Sequence, residues 1–435
     1  MKKIIYIPVL ILLVIMGCNT KKSTESSFVT RQGHQFIWNN KPYYFVGTNY
    51  WYGGILASEG RGGNRDRLIK ELDLMQSVGI NNLRILAGAE GPDNEPFRVT
   101  PALQLEPGVY NDTLLDGLDF LLNEMGKRQM HAILYLNNTW EWSGGYGQYL
   151  NWCGYGDIPY PNIAPHSWPE FMAYCSQFHA SDSCQKLYQE HIKFMLGRTN
   201  KYSGKKYTED PTIMTWELAN EPRALSDANK ENFAQWVKTT ADFIKALDPN
   251  HLVTTGTEGS WGCEEDINLF KQIHSYNSVD YMTMHIWPKN WGWIDCERIS
   301  ETLDSAIVLT DQYMESHFNV AKELNKPLVF EEFGLPRDHH EFNADDSTTA
   351  RDKYYSHAFT KVEESAKENG VLAGTNFWAF GGYGRHYKED PMWSNGDDLM
   401  GDPPQEEQGL NSVFDTDSTM GVIKEHAQKL KAIID

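Results

Sequence analysis

Ile213-Met-Thr-Trp-Glu-Leu-Ala-Asn-Glu-Pro222 starts as a mostly apolar run and closes on two polar residues and a proline. A short run of this kind, bounded by turn residues, reads as a strand buried on both faces, the pattern of a parallel sheet. Pro222 lacks the N–H needed to continue the ladder, so the strand ends with Asn220 and Glu221 at its tip. Outward from this segment, similar runs recur at Tyr44-Val46, Leu83-Leu86, Ala132-Leu136, Leu252-Thr255, Tyr281-Met284, Leu328-Phe330 and Leu372-Phe377. Segments of helical periodicity lie between them. Leu114, Leu115, Leu118, Leu121, Leu122 and Met125 recur at spacings of three and four and form one apolar stripe. Phe233, Trp236, Val237, Ile244 and Leu247 repeat the pattern after a Ser226-Asp227 cap, and a last helix is expected from about Gly421 to Ile434. Eight strands, mostly followed by helices, predict an α/β fold, a (β/α)8 barrel. A doubly wound sheet is the alternative, but no Gly-rich phosphate turn follows the first strand. Connections that follow strands are long and rich in Trp, Gly, Asn and Pro, notably from Asn137 to Pro169, Trp287 to Trp293 and Gly381 to Gln408. In a barrel this asymmetry decorates the C-terminal face, where such folds carry their chemistry.

Charge limits the partners. The 435 residues carry a formal net charge of -20, which disfavours nucleic acid, anionic membrane surfaces and polyanionic substrates. A neutral polymer fits, and aromatic residues make up 13% of the chain, with 14 Trp. Indole faces stack on the C–H faces of sugars, although large aromatics also simply fill cores. At the N-terminus, Lys2 and Lys3 precede an apolar run from Ile4 to Met16, too short for a comfortable membrane span and expected to be a signal peptide over residues 1–17. Gly17-Cys18 resembles a bacterial lipoprotein processing site, so Cys18 is expected to carry lipid, with residues 18–27 as a tether. The expected setting is the bacterial cell envelope, lipid-anchored, or secretion. Residues 28–435 are read as one catalytic domain, expected to act as a monomer. Cys153, Cys175, Cys184, Cys263 and Cys296 remain, an odd number that allows at most two bridges. Cys153, Cys175 and Cys184 share one loop region, where a local staple is expected. No zinc-ligand spacing occurs, and nothing calls for a metal or an organic cofactor.

Two acidic strand ends carry the candidate chemistry. Glu221 ends the Ile213 run, and Glu332 ends Pro327-Leu-Val-Phe-Glu-Glu332 over a hundred residues later. Cleavage of a glycosidic bond needs one carboxyl that stays protonated for the leaving oxygen and one carboxylate beside the anomeric carbon. Strand alternation puts Glu217, Ala219 and Glu221 on one facing, so Glu217, lying deeper, is expected to pair with a barrel cation. Of the neighbours Glu331 and Glu332, Glu332 is expected to face the mouth, with Gly334 allowing close substrate approach, and Glu331 to turn outward. Arg84 interrupts an apolar strand, where an unpaired cation is costly. Its expected partner is Glu332, with Glu217 or Glu331 as the structural alternative. Asn220 is placed to bond a sugar 2-hydroxyl. His285 closes strand six, followed by Trp287, and Trp378 closes strand eight as a platform under the sugar. Asn138 and Trp140 follow strand three and join the candidate binding residues.

These residues carry a resemblance. Gly47-Thr-Asn-Tyr-Trp51, Asn82-Leu-Arg-Ile-Leu-Ala87, Trp216-Glu-Leu-Ala-Asn-Glu-Pro222, His285-Ile-Trp-Pro288, Phe330-Glu-Glu-Phe-Gly334 and Phe377-Trp378 resemble glycoside hydrolase family 5, and within it the endo-β-1,4-mannanases. The likeness runs from about Phe28 to the C-terminus. It implies a (β/α)8 fold, retaining hydrolysis, Glu221 as acid/base and Glu332 as nucleophile, with Arg84, Asn220, His285 and Trp378 in support. Two positions depart from the family pattern. Asn137-Asn138 stands where many members place a His, as mannanases of this type tend to have it. Trp287 stands where a Tyr commonly contacts the nucleophile, and its indole N–H is expected to donate to Glu332. The expected activity is endo-hydrolysis of β-1,4-mannosidic bonds in mannan, glucomannan or galactomannan. A β-1,4-endoglucanase or an exo-acting mannobiohydrolase would use the same scaffold. A non-catalytic glycan-binding lipoprotein would have no use for both carboxyls.

Overall fold

A computed structural model describes residues 28–94 and 97–435. The signal peptide, Cys18 and the tether lie outside the described residues. Eight strands form one parallel sheet: β1 Phe45–Asn49, β2 Asn82–Leu86, β3 His131–Tyr135, β4 Ile213–Glu217, β5 Leu252–Thr254, β6 Met282–Ile286, β7 Leu328–Phe333 and β8 Leu372–Phe377. Their order is β5-β4-β3-β2-β1-β8-β7-β6. The sheet thus curls until β5 and β6 face each other. No ladder joins those two strands, and individual hydrogen bonds close the barrel instead. Asp280 N–H donates to Val253 O at 2.8 Å, Thr254 Oγ1 donates to Tyr281 O at 2.9 Å, and Thr283 Oγ1 donates to Thr257 O at 2.7 Å. Threonine hydroxyls here do the work of missing backbone partners in a buried seam.

Helices cover the outside: α1 Arg65–Val78, α2 Asp112–Lys127, α3 Gly145–Trp152, α4 Asp182–Leu196, α5 Lys230–Leu247, α6 Ile267–Ser275, α7 Ile299–Leu324, α8 Thr349–Glu368 and α9 Thr419–Ile434. The stripe predicted on α2 is buried along its whole length, and Asn111 caps the helix by accepting from Thr113 N and Leu114 N. α5 starts later than the expected cap, because a 3-10 turn over Asp227–Asn229 comes first. None of the described helices is long and apolar enough to cross a membrane.

The barrel interior is layered. At the N-terminal end Phe45, Ile133, Met214, Leu252, Tyr281, Val329 and Ala373 form a separate apolar cluster, plugged by Val29 and Phe36 of the N-terminal ribbon. Above it the interior turns polar. Asn376 Nδ2 donates to Asn82 Oδ1 at 2.9 Å. Gly47 makes room for that bond, since a Cβ there would lie 2.2 Å from Asn376 Nδ2. The strands run further into this polar layer than the apolar pattern suggests, with β1 reaching Asn49, β6 Ile286 and β7 Phe333.

Candidate active site

Arg84 organises the polar layer. It is fully buried on β2. Its Nε and Nη2 reach Glu217 at 3.0 and 2.5 Å, and its Nη1 reaches Asn49 Oδ1 at 2.9 Å and also Glu332 Oε1. Nη2 further donates to Asn220 Oδ1 at 2.8 Å, and the guanidinium lies 4.7 Å from the Tyr135 ring centroid. The expected carboxylate partner is therefore two carboxylates at once, Glu332 and Glu217.

Glu331 departs from the expectation that it turns outward. It is fully buried inside the barrel, with Oε2 3.8 Å from Arg84 Nε and 3.5 Å from His285 Nε2. The cause is a register shift between β6 and β7, where Met284 pairs with Phe330 but His285 pairs with Glu332. The irregularity breaks strict alternation, so two consecutive glutamates both face inward. One cation then faces three carboxyls. Burial, then the Glu217 charge, pushes the Glu331 carboxyl well above the usual range. Burial also pushes Glu332 well up, against the pull of Arg84. With Glu331 held toward its protonated form, Glu217 and Glu332 remain as the two carboxylates bonded to the one guanidinium.

Glu221 sits at the tip of β4 in a left-handed conformation, φ 47°, its N–H donating to Gly256 O at 3.0 Å. Backbone strain in a non-glycine residue persists where the surroundings over-determine it, and it clusters at functional sites. Three ring nitrogens surround this carboxyl. Trp140 Nε1 donates to Oε2, Trp287 Nε1 donates to Oε1 at 3.2 Å, and His285 Nδ1 lies 2.9 Å from Oε1. Trp287 thus serves Glu221, whereas the sequence pointed it at Glu332. Burial, then the Arg84 charge, holds the His285 imidazole well below its usual range, so it is neutral. His285 Nδ1 is also 3.4 Å from Glu332 Oε2. Ligating atoms of Glu221, His285 and Glu332 all lie within 4.8 Å of one another.

The two carboxyls open onto one cavity of about 480 Å³ on the C-terminal face. Asn220, Glu221, Glu332 and Trp378 line it together with Trp140 and Trp287. The supporting residues lie behind this surface. Asn138 is fully buried and accepts from Asn220 Nδ2 at 3.1 Å, so it holds Asn220 and does not line the cavity. Arg84 and His285 likewise act through their neighbours. Gly334 has a different role from the expected one: a Cβ there would lie 2.8 Å from Trp378 O and 3.1 Å from the Trp287 ring. It accommodates the aromatic walls, not the ligand.

Several lining residues were not singled out from sequence. Trp142 and Trp168 come from the long loop after β3, and Trp261 and Trp291 from the opposite side. Arg223 forms a two-point ion pair with Glu258 and lies 4.9 Å from the Trp140 ring centroid. Its position next to Pro222 was the available signal. Gln405 and Glu406, from the loop after β8, also line the cavity. Gln405 Oε1 and Glu406 Oε2 are covered yet have no partner among the described residues. Burial, reinforced by Asp402, pushes the Glu406 carboxyl up to about 8. A neutral acid there is a hydrogen-bond donor facing the cavity wall. Nothing in Gln405-Glu406-Glu407-Gln408 distinguishes it from a solvated turn.

Behind the Trp140–Trp142 wall, burial raises the carboxyls of Glu90 and Glu141 to about 7. Glu90 Oε2 accepts from Gly145 N at 2.9 Å, at the start of α3. The sign of the linkage is fixed: these native carboxyls bind protons that the unfolded chain releases near pH 4.5. Their contribution is complete below the unfolded value and is lost as pH rises through about 7, and through about 8 for Glu406. Buried histidines such as His179 and His274, held at about 3 by burial, oppose this trend only below their ordinary pKa near 6.5. Urea unfolding free energy is therefore expected to fall between pH 6.5 and 8.5, with a slope of up to about three protons. A flat or rising profile over that window would contradict the burial of these groups.

Comparison with known proteins places this geometry. The model of "GH family 5 beta-mannosidase-like" proteins matches residues 26–435. The chain belongs to glycoside hydrolase family 5. It is 36% identical in sequence to a family 5 mannosidase from Rhizomucor miehei, with a TM-score of 0.86 over 94% of this chain and 99% of that one. A variant of that mannosidase has been solved in complex with mannosyl-fructose. A mannan endo-1,4-beta-mannosidase from Arabidopsis thaliana is 30% identical over 379 residues, 83% of this chain and 80% of its own length. The endo-1,4-beta-D-mannanase of Thermotoga petrophila is 25% identical, with a TM-score of 0.65 over 89% of this chain and 99% of that one. The protein is thus a mannanase-like glycoside hydrolase on a (β/α)8 barrel, as the sequence motifs led one to expect.

Proposed function

We propose that this family 5 hydrolase cleaves β-1,4-mannosidic bonds with net retention of anomeric configuration. The observation that carries the reading is the proximity of the carboxyls. Oxygens of Glu221 and Glu332 lie within 4.8 Å of each other. Nucleophile and acid/base in retaining enzymes stand about 5 Å apart, whereas inverting pairs stand at least about 6.5 Å apart to admit a water. Glu332, balanced by Arg84, attacks the anomeric carbon, and Glu221 protonates the departing oxygen. The neutral His285 with its proton on Nε2, toward Glu331, leaves Nδ1 as acceptor for the Glu221 proton before transfer. After the leaving sugar departs, Glu221 takes a proton from water, which releases the glycosyl group from Glu332. Asn220, fixed between Arg84 and Asn138, presents its amide to the 2-hydroxyl, where bonding strengthens as positive charge develops. Trp378 and Trp142 offer ring faces to the sugar.

Mannan as the polymer rests on the named relatives. Reducing-end assays on mannan, glucomannan and carboxymethylcellulose test it, with the first two expected to be substrates. Predominant activity on carboxymethylcellulose would favour the endoglucanase alternative. Proton NMR of the first-formed product reads the configuration directly, and an initial α-anomer would end the retaining mechanism.

A second reading concerns where along the chain the enzyme acts. Endo action is the expectation from sequence, yet about 480 Å³ holds roughly two or three sugar rings. The wall formed by Gln405 and Glu406, with unpartnered polar atoms, also suits a chain end whose hydroxyls need partners. Those features support chain-end attack. Digestion of mannohexaose separates the two: stepwise release of mannose or mannobiose marks exo action, and an early spread of internal fragments marks endo action. Glu406→Ala is expected to raise KM on short oligosaccharides about tenfold if the wall binds a terminal sugar. Attachment to the cell envelope through Cys18 is proposed on the leader sequence alone.

A further inference from the structure

All five cysteines among the described residues are thiols, and two of them lie on segments that pack together. Cys153 is the C-terminal cap of α3, and Cys184 lies in the first turn of α4. The Cys153 thiol is near enough to act on that of Cys184, whose pKa burial raises. The two segments are clipped together, since Tyr155 OH donates to Ser181 Oγ at 3.0 Å, and that same oxygen caps α4 by accepting from Cys184 N. The helices also pack through the Tyr149 and Tyr188 rings, with centroids 5.9 Å apart. The contact is therefore held by the packing of both elements. Cys175, in the same region, is fully buried and offers no such partner, while Cys153 is half-buried and reachable.

We propose that Cys153 and Cys184 form a disulfide that closes the loop carrying one wall of the active-site cavity. The enclosed segment holds Asn162, Trp168 and Met172, all of which line the cavity. Much of it from Gly154 to Glu170 is exposed to solvent. A bond at its base would hold this wall while the barrel behind it stays unchanged. α4 is in turn fixed to the strand that delivers Glu221, because Tyr188 OH donates to Leu218 O. The chemistry needs a disulfide as oxidant, such as oxidised glutathione or a disulfide-donating oxidoreductase. Cys153, as the accessible thiolate, attacks one sulfur of the donor and releases one thiol. Cys184 then loses its proton and attacks Cys153 in the mixed disulfide, releasing the second thiol. Two protein thiols are oxidised and one donor disulfide is reduced.

The full chain treated with excess oxidised glutathione at pH 8 is expected to lose two alkylatable thiols. Its peptide map should then contain one cross-linked peptide joining Cys153 to Cys184. Oxidation is expected to slow proteolytic cleavage between residues 154 and 183 at least about tenfold and to raise the melting temperature by roughly 4 °C. Cys153→Ser, at a half-buried position, should remove the cross-link, the protection and the shift together. A cross-link to any other cysteine overturns the proposal. So does a full thiol count after oxidation, or a protease-resistance gain that persists in Cys153→Ser. None of these readouts depends on the substrate, so their failure would leave the mannosidic reading intact.

Discussion

In a Glu332→Ala variant, turnover of an aryl β-mannoside is expected to fall at least about 10⁴-fold while the fold persists, because no other group can form the glycosyl-enzyme. Added azide should then attack from the vacated face and yield an α-mannosyl azide. Glu221→Ala should behave differently. Substrates whose leaving group needs no proton should still glycosylate Glu332, the second step should stall, and azide should give the β-azide. The pair of azide configurations assigns the two carboxyls without reference to rate. Interchanged configurations would reverse the roles of Glu221 and Glu332. Wild-type turnover in Glu332→Ala would remove the proposed mechanism altogether. Glu331→Gln serves as the control, since a group that already holds a proton should tolerate an amide far better than a nucleophile does.

The second large effect is expected at Arg84. Its guanidinium is fully buried and bound to Glu217, Glu332, Asn49 and Asn220 at once. Removing one partner of a buried ionic cluster leaves uncompensated charge and typically costs about 3–5 kcal/mol. Arg84→Met is expected to lose stability of that order, in part relieved as the carboxyls take up protons. Its catalytic consequence has a definite sign. Arg84 lowers the Glu332 pKa against burial, so removal of the cation raises it. The acid limb of the kcat/KM profile should then move to higher pH, with at least about a 10³-fold loss near neutrality. A profile that keeps its acid limb, with a loss confined to stability, would show that Arg84 only braces the barrel. Arg84→Lys should recover the charge without the two-pronged geometry and give an intermediate result.

Much of this site was legible because strand tips carry unusual residues. Asn220-Glu221-Pro222 stands out against an apolar run, and Arg84 stands out because a cation within a buried strand demands a partner. The first strand was read short: Asn49 belongs to it, but its polarity hides this from a pattern search that follows apolar runs. The Glu331 orientation was missed for a related reason. Period-two alternation assumes an unbroken ladder, and the shift between β6 and β7 breaks it.

The barrel, the two acidic strand ends and the aromatic loops above them were legible in the chain, because each follows from local periodicity and from the cost of burying charge. Tertiary structure alone decided that three carboxyls share one guanidinium. It also decided that Trp140 and Trp287 both serve Glu221, and that Asn138 lies behind Asn220 and off the cavity surface. Glu406 and the Cys153–Cys184 contact belong with these. Such facts depend on register and on the packing of loops far apart in the chain, and no residue's own chemistry encodes which distant neighbour it will meet.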